Sequence, residues 1–261
     1  MKAYAFDNAG EAARQRYELL AAQWDGESRS HLERVGVGAG WRCLEVGAGG
    51  GSIAKWLGAR VGDTGHVLAI DLSTRFLEWL RGANIEVREH DLVTQALPEC
   101  AFDLVHSRLV LMHLPARDEV LSRLIRSIRP GGWLVLEEFD ALSTLPDPAV
   151  YPAETSLAAA AAMRAVMRER GIDLCYGRRL PAVLRERGLT DVGAAGRTFM
   201  WSSGSLGARL FRLTLEELRG EILRRCAIDD EQFGADLARI SHDDFAMPSP
   251  ILWTVCARSV E

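Results

Sequence analysis

The chain has 261 residues, 48% of them hydrophobic, which is enough to bury one substantial core. Its formal net charge of -5 excludes a general electrostatic attraction to nucleic acid or to anionic lipid. We therefore expect a small-molecule partner, with no nucleic acid and no membrane, and no segment approaches the roughly 18 apolar residues of a transmembrane helix.

The five cysteines lie far apart in the sequence and are odd in number. They have neither the paired spacing of a zinc site nor the density of a disulfide scaffold, so reduced thiols in a cytoplasmic protein are the simplest interpretation. His242, Asp243 and Asp244 resemble a set of metal ligands. Adjacent residues on one loop seldom point at one ion, and we predict no metal site.

Residues 10–35 have a helical pattern, and the break at Asp25-Gly26 predicts two helices there. Strands and helices then alternate along the chain. The predicted strands are 41–46, 66–70, 85–89, 102–106 and 133–139, and the predicted helices are 53–60, 74–81 and 116–128. This alternation indicates right-handed crossovers and a largely parallel sheet.

The second half of the chain has a different pattern, with a helix predicted at 177–188 and strands at 191–201 and 251–259. Between these two strands, capping patterns that begin at Thr214 and at Asp229 predict two helix starts. Ligands of an open parallel sheet bind beyond the carboxyl ends of its strands, so helices inserted there are expected to cover the ligand.

The segment LEVGAGGGS, residues 44–52, joins the first strand to a helix through Gly47, Gly49 and Gly51. Glycines allow the backbone to turn sharply and allow a ligand to approach without meeting a Cβ atom. We therefore expect this loop to touch a ligand.

Two ligand classes compete for this loop. The spacing from Gly49 through Gly51 to Ala54 formally fits a dinucleotide site, with Asp71 at a suitable distance for a ribose hydroxyl. Glu45, at the end of the strand, favours a cationic ligand instead, because a carboxylate repels a diphosphate.

The same loop is the first of a series of motifs that resembles a known family. Together with the segments LAIDLS, EHDL, FDLVHSRLVLMHL and RPGGWLVLEEFD, in that order, it is similar to the class I S-adenosylmethionine-dependent methyltransferases, and most to their small-molecule branch. The resemblance covers about residues 10–140 and the paired strands at the C-terminus.

The resemblance implies an α/β fold with a doubly wound, mostly parallel, seven-stranded Rossmann-like sheet. It also implies an N-terminal helical cap and a helical insertion before the last strand. The expected organisation is one methyltransferase domain over 1–261, with a cap over 1–38, a cofactor-binding core over 39–140, and substrate-covering helices in 141–176 and 203–247.

The resemblance further implies a role for each matching residue. Asp71 would accept the ribose hydroxyls, Asp91 would accept the adenine amino group, and Glu45 would favour the cofactor's ammonium group. His106 or Ser107 would line the side from which the methyl group leaves. The complete set of expected cofactor-binding residues is Tyr17, Glu45, Gly47, Ala48, Gly49, Gly51, Asp71, Leu72, Asp91, Leu92, His106 and Ser107.

His113 is the candidate general base, because it follows the fourth strand and histidine titrates in the useful range.

Tyr17 and Trp24 lie in a segment that closes over the cofactor in related methyltransferases, although both side chains equally suit anchoring helices to the sheet. Arg29 is a candidate partner of the cofactor carboxylate. The aromatic residues that give a mild preference for an apolar acceptor are Tyr151, Tyr176, Trp201, Phe211, Phe233 and Phe245.

The expected activity is methyl transfer from S-adenosylmethionine to an oxygen, nitrogen or carbon of a small molecule, such as a secondary metabolite, leaving S-adenosylhomocysteine. We expect a monomer or a homodimer. Two alternatives stay open: an NAD(P)-dependent oxidoreductase, and a protein that binds S-adenosylmethionine without methylating, as a pericyclic catalyst or a regulator.

Overall fold

Nine strands and seven α-helices are present in the part of the chain that the structure, a computed structural model, describes: residues 10–144 and 157–260. The strands are β1 (Arg42–Val46), β2 (His66–Asp71), β3 (Ile85–Glu89), β4 (Phe102–Arg108), β5 (Ile128–Asp140), β6 (Thr190–Arg197), β7 (Met200–Ser202), β8 (Ala246–Pro248) and β9 (Ile251–Arg258). The helices are α1 (Glu11–Arg34), α2 (Ser52–Val61), α3 (Arg117–Ser127), α4 (Ala158–Glu169), α5 (Tyr176–Glu186), α6 (Leu206–Arg225) and α7 (Asp230–Ile240).

Seven of the strands form one sheet in the order β3-β2-β1-β4-β5-β9-β6. The first five of these pair in parallel, and β9 runs antiparallel between β5 and β6. Strands β7 and β8 form a separate two-stranded sheet. The predicted mostly parallel, seven-stranded sheet is therefore confirmed.

Helices cover both faces of this sheet because side chains alternate along each strand. On one face, Cys43 of β1 packs in a cluster with Leu32 of α1 and Leu57 of α2. On the other face, Leu44 packs in the cluster that contains residues of α3 and α5. The carboxyl ends of the five parallel strands meet at one edge of this layered core, and the candidate site lies there.

Two predictions about helices in the first half are wrong. Helix α1 is continuous through Asp25-Gly26, because the neighbouring Trp24 and Ser28 are fully buried against the sheet. The helix predicted over 74–81 is only a 3₁₀ turn at Glu78–Leu80.

The helical insertion before the last strand is present as α6 and α7, but only one of its two predicted caps is found. Asp229 caps α7, since its carboxylate accepts the backbone N–H of Gln232 at 2.8 Å. Thr214 lies in the middle of α6, where its hydroxyl donates to the carbonyl of Leu210 at 2.8 Å. The predicted helical region 141–176 contains α4, and Tyr151 lies outside the described residues.

Among residues 10–144 and 157–260, no helix is both long enough and apolar enough to cross a bilayer.

Candidate functional site

A cleft of about 1000 Å³, including space open to solvent, lies at the carboxyl ends of β1, β2 and β4. The glycine loop after β1 forms its floor, and α1 contributes Tyr17 and Leu20. Its remaining lining residues are Glu45, Gly47, Ala48, Gly49, Gly50, Ser52, Ile53, Ile70, Asp71, Leu72, His90, Asp91, Leu92, Val93, Arg108, Leu109, Val110 and Leu114.

The glycine loop needs glycine for reasons that the structure makes explicit. Gly47 and Gly49 have φ angles of +67° and +55°, which L side chains rarely adopt. A Cβ atom at Gly49 would lie 3.1 Å from the ring of Tyr17, and one at Gly47 would lie 2.3 Å from Val110. The loop is therefore held in close contact with α1 and with the segment after β4.

Gly51 does not have the place expected for it. It is absent from the cleft lining, and a Cβ atom there would lie 2.3 Å from Leu80. Its φ of +84° starts α2, so its requirement for glycine is structural. Gly50 lines the cleft instead.

Two carboxylates at the ends of β2 and β3 are held by neutral donors. Asp71 accepts the backbone N–H groups of Gly49 at 2.9 Å and of Ser73 at 3.2 Å, and burial raises its pKa. Asp91 accepts the N–H of Val93 at 2.9 Å and the hydroxyl of Thr94 at 2.8 Å, and the Val93 N–H is the main reason its pKa is lowered. Each carboxylate retains lone pairs that can accept hydrogen bonds from a ligand.

Glu45 has a charged partner. Its side chain lies 2.6 Å from Nδ1 of His106, the residue opposite it on β4. His106 Nε2 is 3.4 Å from Glu137 on β5, whose other oxygen accepts the hydroxyl of Thr254 on β9 at 2.7 Å. A buried polar row therefore crosses four adjacent strands directly beneath the cleft.

The charges in this row compensate each other. Although burial opposes it, the charge of Glu45 and the hydrogen bond to Glu137 raise the pKa of His106 to about 9. Burial likewise opposes the shift of Glu137, but His106 lowers its pKa to about 2. At neutral pH an imidazolium thus lies between two carboxylates.

Helix α1 is tied to this row through Ser28 and Asp25. Ser28 donates its hydroxyl to Glu137 and accepts a hydrogen bond from Arg108 at 2.8 Å. Arg108 also pairs with Asp25 at 2.9 Å, while its side chain lines the cleft. The N-terminal helix is therefore joined by hydrogen bonds to the floor of the site.

Three expectations for this region are corrected. His106 and Ser107 are fully buried and absent from the cleft lining, because their side chains point into the sheet layers beneath it. The side expected for them is lined instead by residues just beyond, Arg108, Leu109 and Val110. Arg29 does not line the cleft, and it pairs with Asp25 at 3.1 Å.

Nine of the expected residues are brought together in the cleft. Those that line the cleft are Tyr17, Glu45, Gly47, Ala48, Gly49, Asp71, Leu72, Asp91 and Leu92. Trp24 is fully buried, with its ring centroid 4.9 Å from that of Phe199, and so it anchors α1.

Sequence reasoning missed His90, although it stands beside Asp91 in the motif EHDL. His90 lines the cleft, and its buried Nε2 has no hydrogen-bond partner among the described residues.

A second cavity, of about 890 Å³ including open space, adjoins the first and shares Leu20 and Leu109 with it. Its lining is mostly apolar and comes largely from α4, α6 and the ends of β4 and β5. The other lining residues are Arg16, Met112, His113, Phe139, Ala141, Met163, Arg164, Met167, Leu174, Trp201, Leu210, Phe211, Thr214, Met247 and Pro250. Of the six aromatics expected to cover the crevice, Trp201 and Phe211 take part in this lining.

The wall between the two cavities is held in an unusual backbone conformation. Leu109 has a φ of +57°, which is uncommon for a residue with a side chain and is often found at functional sites. The following turn is fixed by Glu138, whose carboxyl group accepts the N–H groups of Leu111 at 2.7 Å and of Val110 at 3.2 Å. Burial raises the pKa of Glu138 to about 8.

His113 lies in the second cavity and not in the cleft. Burial, followed by the nearby charges of Arg16 and Arg117, lowers its pKa to about 4. Its imidazole is therefore neutral at pH 7 and can accept a proton there.

The charges that line the cleft are those of three carboxylates and one guanidinium: Glu45, Asp71, Asp91 and Arg108. Such a lining favours a ligand with positive charge and several hydrogen-bond donors over a diphosphate. His242, by contrast, is exposed, and among the described residues its side chain pairs with Asp244, at 2.7 Å, but not with Asp243.

Comparison with known proteins agrees with this geometry. Residues 44–136 match the model of the family described as a methyltransferase domain. The chain is 35% identical over 133 residues to the methyltransferase str3 of Strobilurus tenacellus, an alignment that covers 48% of this chain and 46% of that protein. The chain spans about half the length, or less, of the curated relatives that it matches.

Solved structures share the fold. The phosphoethanolamine N-methyltransferase 2 of Haemonchus contortus, in complex with phosphomonomethylethanolamine and S-adenosylhomocysteine, has a TM-score of 0.57 and 17% identity over 91% of this chain and 53% of that one. The [4+2]-cyclase SpnF has a TM-score of 0.50 and 18% identity over 85% of this chain and 76% of that one.

Proposed function

We propose that the protein transfers a methyl group from S-adenosylmethionine to a small-molecule acceptor, since residues 44–136 match the methyltransferase domain family and the chain shares its fold with a solved methyltransferase. The observation that carries the proposal is the pair of adjoining cavities. One is acidic and lies at the glycine loop, the other is apolar, and they share Leu20 and Leu109.

The residues of the cleft fit this cofactor by their chemistry. Asp71 and Asp91 retain acceptor capacity for ribose hydroxyls and for an amino group. The buried, unpartnered Nε2 of His90 offers a further polar contact. Apolar side chains such as Leu72 and Leu92 suit the faces of a purine.

The methionine part of the cofactor would lie against the glycine loop. There Glu45 supplies a carboxylate for an ammonium group, and Arg108 supplies a guanidinium for a carboxylate. Tyr17 extends from α1 over Gly49 and would cover the bound cofactor. Exclusion of water by this helix would strengthen the polar contacts inside.

S-adenosylmethionine supplies a methyl group already activated by a sulfonium. The protein's main contribution is therefore to hold the acceptor in line with that methyl group, an effect worth roughly 7–11 kcal/mol at its best. Leu109 and Leu20, which border both cavities, are placed to define the passage between them.

His113 is the proposed proton acceptor for acceptors whose nucleophile carries a proton. It lies among the residues of the apolar cavity, and its low pKa keeps it neutral at physiological pH. A pKa of about 4 makes it a weak base, so its contribution to the rate falls below the roughly 10² to 10⁴-fold of a general base whose pKa matches the working pH.

We also propose a cellular compartment, a class of acceptor and an oligomeric state for the protein. All five cysteines are free thiols, which supports a reducing compartment such as the cytoplasm. The acceptor is an organic small molecule, methylated on oxygen, nitrogen or carbon, and a secondary metabolite is a suitable example. The active unit is a monomer or a homodimer.

The test is formation of S-adenosylhomocysteine. Purified protein is incubated with S-adenosylmethionine and a library of small organic acceptors, and the demethylated product is measured by mass spectrometry. We expect product with at least one acceptor, and a loss of product in Asp71→Asn. Binding of S-adenosylmethionine without product from any acceptor would favour a non-methylating function, and binding of reduced nicotinamide cofactor instead would favour an oxidoreductase.

A further inference from the structure

The apolar second cavity contains a charged group that the proposed chemistry does not use. Arg164 lies on α4 and lines this cavity, but it does not line the cleft. Its neighbours in the lining include Met163 and Met167 on the same helix.

The other titratable groups of this cavity carry no free charge. Arg16 is almost fully buried in an ion pair with Glu217 on α6, so its positive charge is compensated. His113 is neutral at pH 7, since burial lowers its pKa to about 4. Arg164 is therefore the uncompensated charge of the cavity, as far as the described residues line it.

Arg164 makes no hydrogen bond and no ion pair with any residue in the described ranges 10–144 and 157–260. Burial and then the like charge of Arg168 lower its pKa, which shows that its surroundings disfavour the cation. Other partly buried arginines are paired: Arg170 bonds to Glu221, and Arg187 bonds to Asp118. A partly desolvated cation without an anion is costly and is seldom kept without a function.

We propose that Arg164 binds the carboxylate of the acceptor, so that the acceptor is an organic acid with an apolar body. This inference rests on the proposed function, since it names the class of molecule that occupies the second cavity. Side chains such as Phe211, Trp201 and Met167 would enclose the body, and the guanidinium would form a bidentate pair with the acid.

A carboxylate suits this cavity better than a phosphate ester. One guanidinium balances the single charge of a carboxylate, whereas a phosphate ester carries about -1.5 to -2 charges at pH 7. A second positive charge for a phosphate is absent from the described lining, because Arg16 is already paired with Glu217.

The test uses sets of small-molecule probes, and within each set the apolar part is the same and the charge differs. Indole-3-acetate, indole-3-acetamide and tryptamine share an indole body, and cinnamate with cinnamamide supplies a second body. Binding of each probe to the full chain is measured by calorimetry in the presence of S-adenosylhomocysteine, with 1-naphthyl phosphate as the phosphate arm. The variants are Arg164→Met, Arg164→Lys and the control Arg168→Met, which removes an exposed arginine one turn away on α4.

The wild-type protein is expected to bind each carboxylate about tenfold or more tightly than the matching amide, since a charged hydrogen-bonded pair adds at least that much. Arg164→Met should remove this preference, Arg164→Lys should keep part of it, and Arg168→Met should keep all of it. Equal binding of acid and amide, tighter binding of tryptamine or of the phosphate, failure of every probe to bind, or a preference that survives Arg164→Met would overturn the inference.

Two controls separate this inference from the proposed function. Thermal unfolding of Arg164→Met should occur at or above the wild-type temperature, because the variant removes an uncompensated, partly buried charge. This result would exclude misfolding as the cause of the lost preference. Titration with S-adenosylmethionine reports on the cleft alone. If the wild-type protein prefers acids to amides but does not bind S-adenosylmethionine, the methyltransferase proposal is contradicted and the anion site at Arg164 is supported. If it binds S-adenosylmethionine but does not prefer acids, the anion site is contradicted and the methyltransferase proposal is supported.

Discussion

At the scale of single residues, the charge of the cleft depends on which carboxylates are compensated. The side-chain oxygen of Glu45 lies 2.6 Å from Nδ1 of the His106 imidazolium, which balances part of its negative charge. Asp71 and Asp91 have only neutral hydrogen-bond donors. These two aspartates therefore carry more of the uncompensated negative charge of the cleft than Glu45 does.

Asp71→Asn should weaken the binding of S-adenosylmethionine by about 1–3 kcal/mol, because the amide loses the charge and one of the acceptor positions offered to the ribose. Isothermal titration calorimetry at pH 7.5 measures the change. Asp103→Asn is the matched control, since Asp103 is also buried but lies near the start of β4 and pairs with Arg129. Unchanged affinity in Asp71→Asn, or an equal loss in the control, would contradict the ribose role.

His106 should make stability depend on pH in a defined direction. Its pKa is raised from 6.5 to about 9, so its contribution is fully present below pH 6.5 and is lost as pH rises through 9. The size of this contribution is on the order of 3 kcal/mol.

Urea unfolding of the wild type and of His106→Asn at pH 6, 7.5 and 9 tests this prediction. The difference in free energy of unfolding between the two proteins should shrink as the pH rises. A difference that stays constant from pH 6 to 9 would show that His106 carries no extra proton in the folded state.

Nine of the twelve residues expected from the sequence line the cleft, and most of these nine lie at a strand end or in the glycine loop. His106 and Ser107 were misplaced because a sequence motif does not show where a strand stops. Strand β4 continues two residues beyond the predicted end, to Arg108, and the cleft lining begins there. The pairing of Glu45 with His106 requires the register of β1 against β4, and no local pattern contains that information.

At the scale of elements, α5 is fixed to the sheet by an unusually close contact. A Cβ atom at Gly177 would lie 2.2 Å from the backbone oxygen of Glu138 on β5. Since Glu138 also holds the turn after Leu109, this contact helps to place the wall between the two cavities.

Gly177→Ala should therefore destabilise the protein by about 1–3 kcal/mol, because a methyl group at this position forces the helix away from the strand. Gly234→Ala in α7 is the matched control: nothing lies within 4 Å of its added Cβ atom, and alanine favours a helix by about 1 kcal/mol over glycine. Thermal unfolding should move in opposite directions in the two variants. A stable Gly177→Ala would contradict the close packing of α5.

The strands were the most predictable elements, since five parallel strands appear in the sequence as short apolar runs within a few residues of their observed ends. The errors in the predicted helices occurred where tertiary contacts determine whether a helix forms or continues. Helix α1 passes through Gly26 because its flanks are buried, and residues 74–81 form only a 3₁₀ turn whose Leu77 and Leu80 pack over Gly51. The helix propensity of the local sequence carries no information about the burial around Gly26 or the packing over Gly51.

At the scale of the whole molecule, a parallel sheet, an N-terminal helix and an inserted pair of helices enclose two different environments at one edge. The cleft is lined by more carboxylates than cationic groups, and the neighbouring cavity is mostly apolar with one uncompensated arginine in its described lining. The sequence predicted the sheet and the insertion, but the lining of the second cavity comes from segments far apart in the chain. The composition of this lining is therefore visible only in the folded structure.

The glycine loop and its acidic surroundings are expected to bind a sulfonium nucleoside and not a dinucleotide diphosphate. Parallel calorimetric titrations of the purified protein with S-adenosylmethionine and with NADH test it most directly. We expect one S-adenosylmethionine to bind per chain and no heat from NADH. Saturable binding of NADH, with no binding of S-adenosylmethionine, would contradict the account.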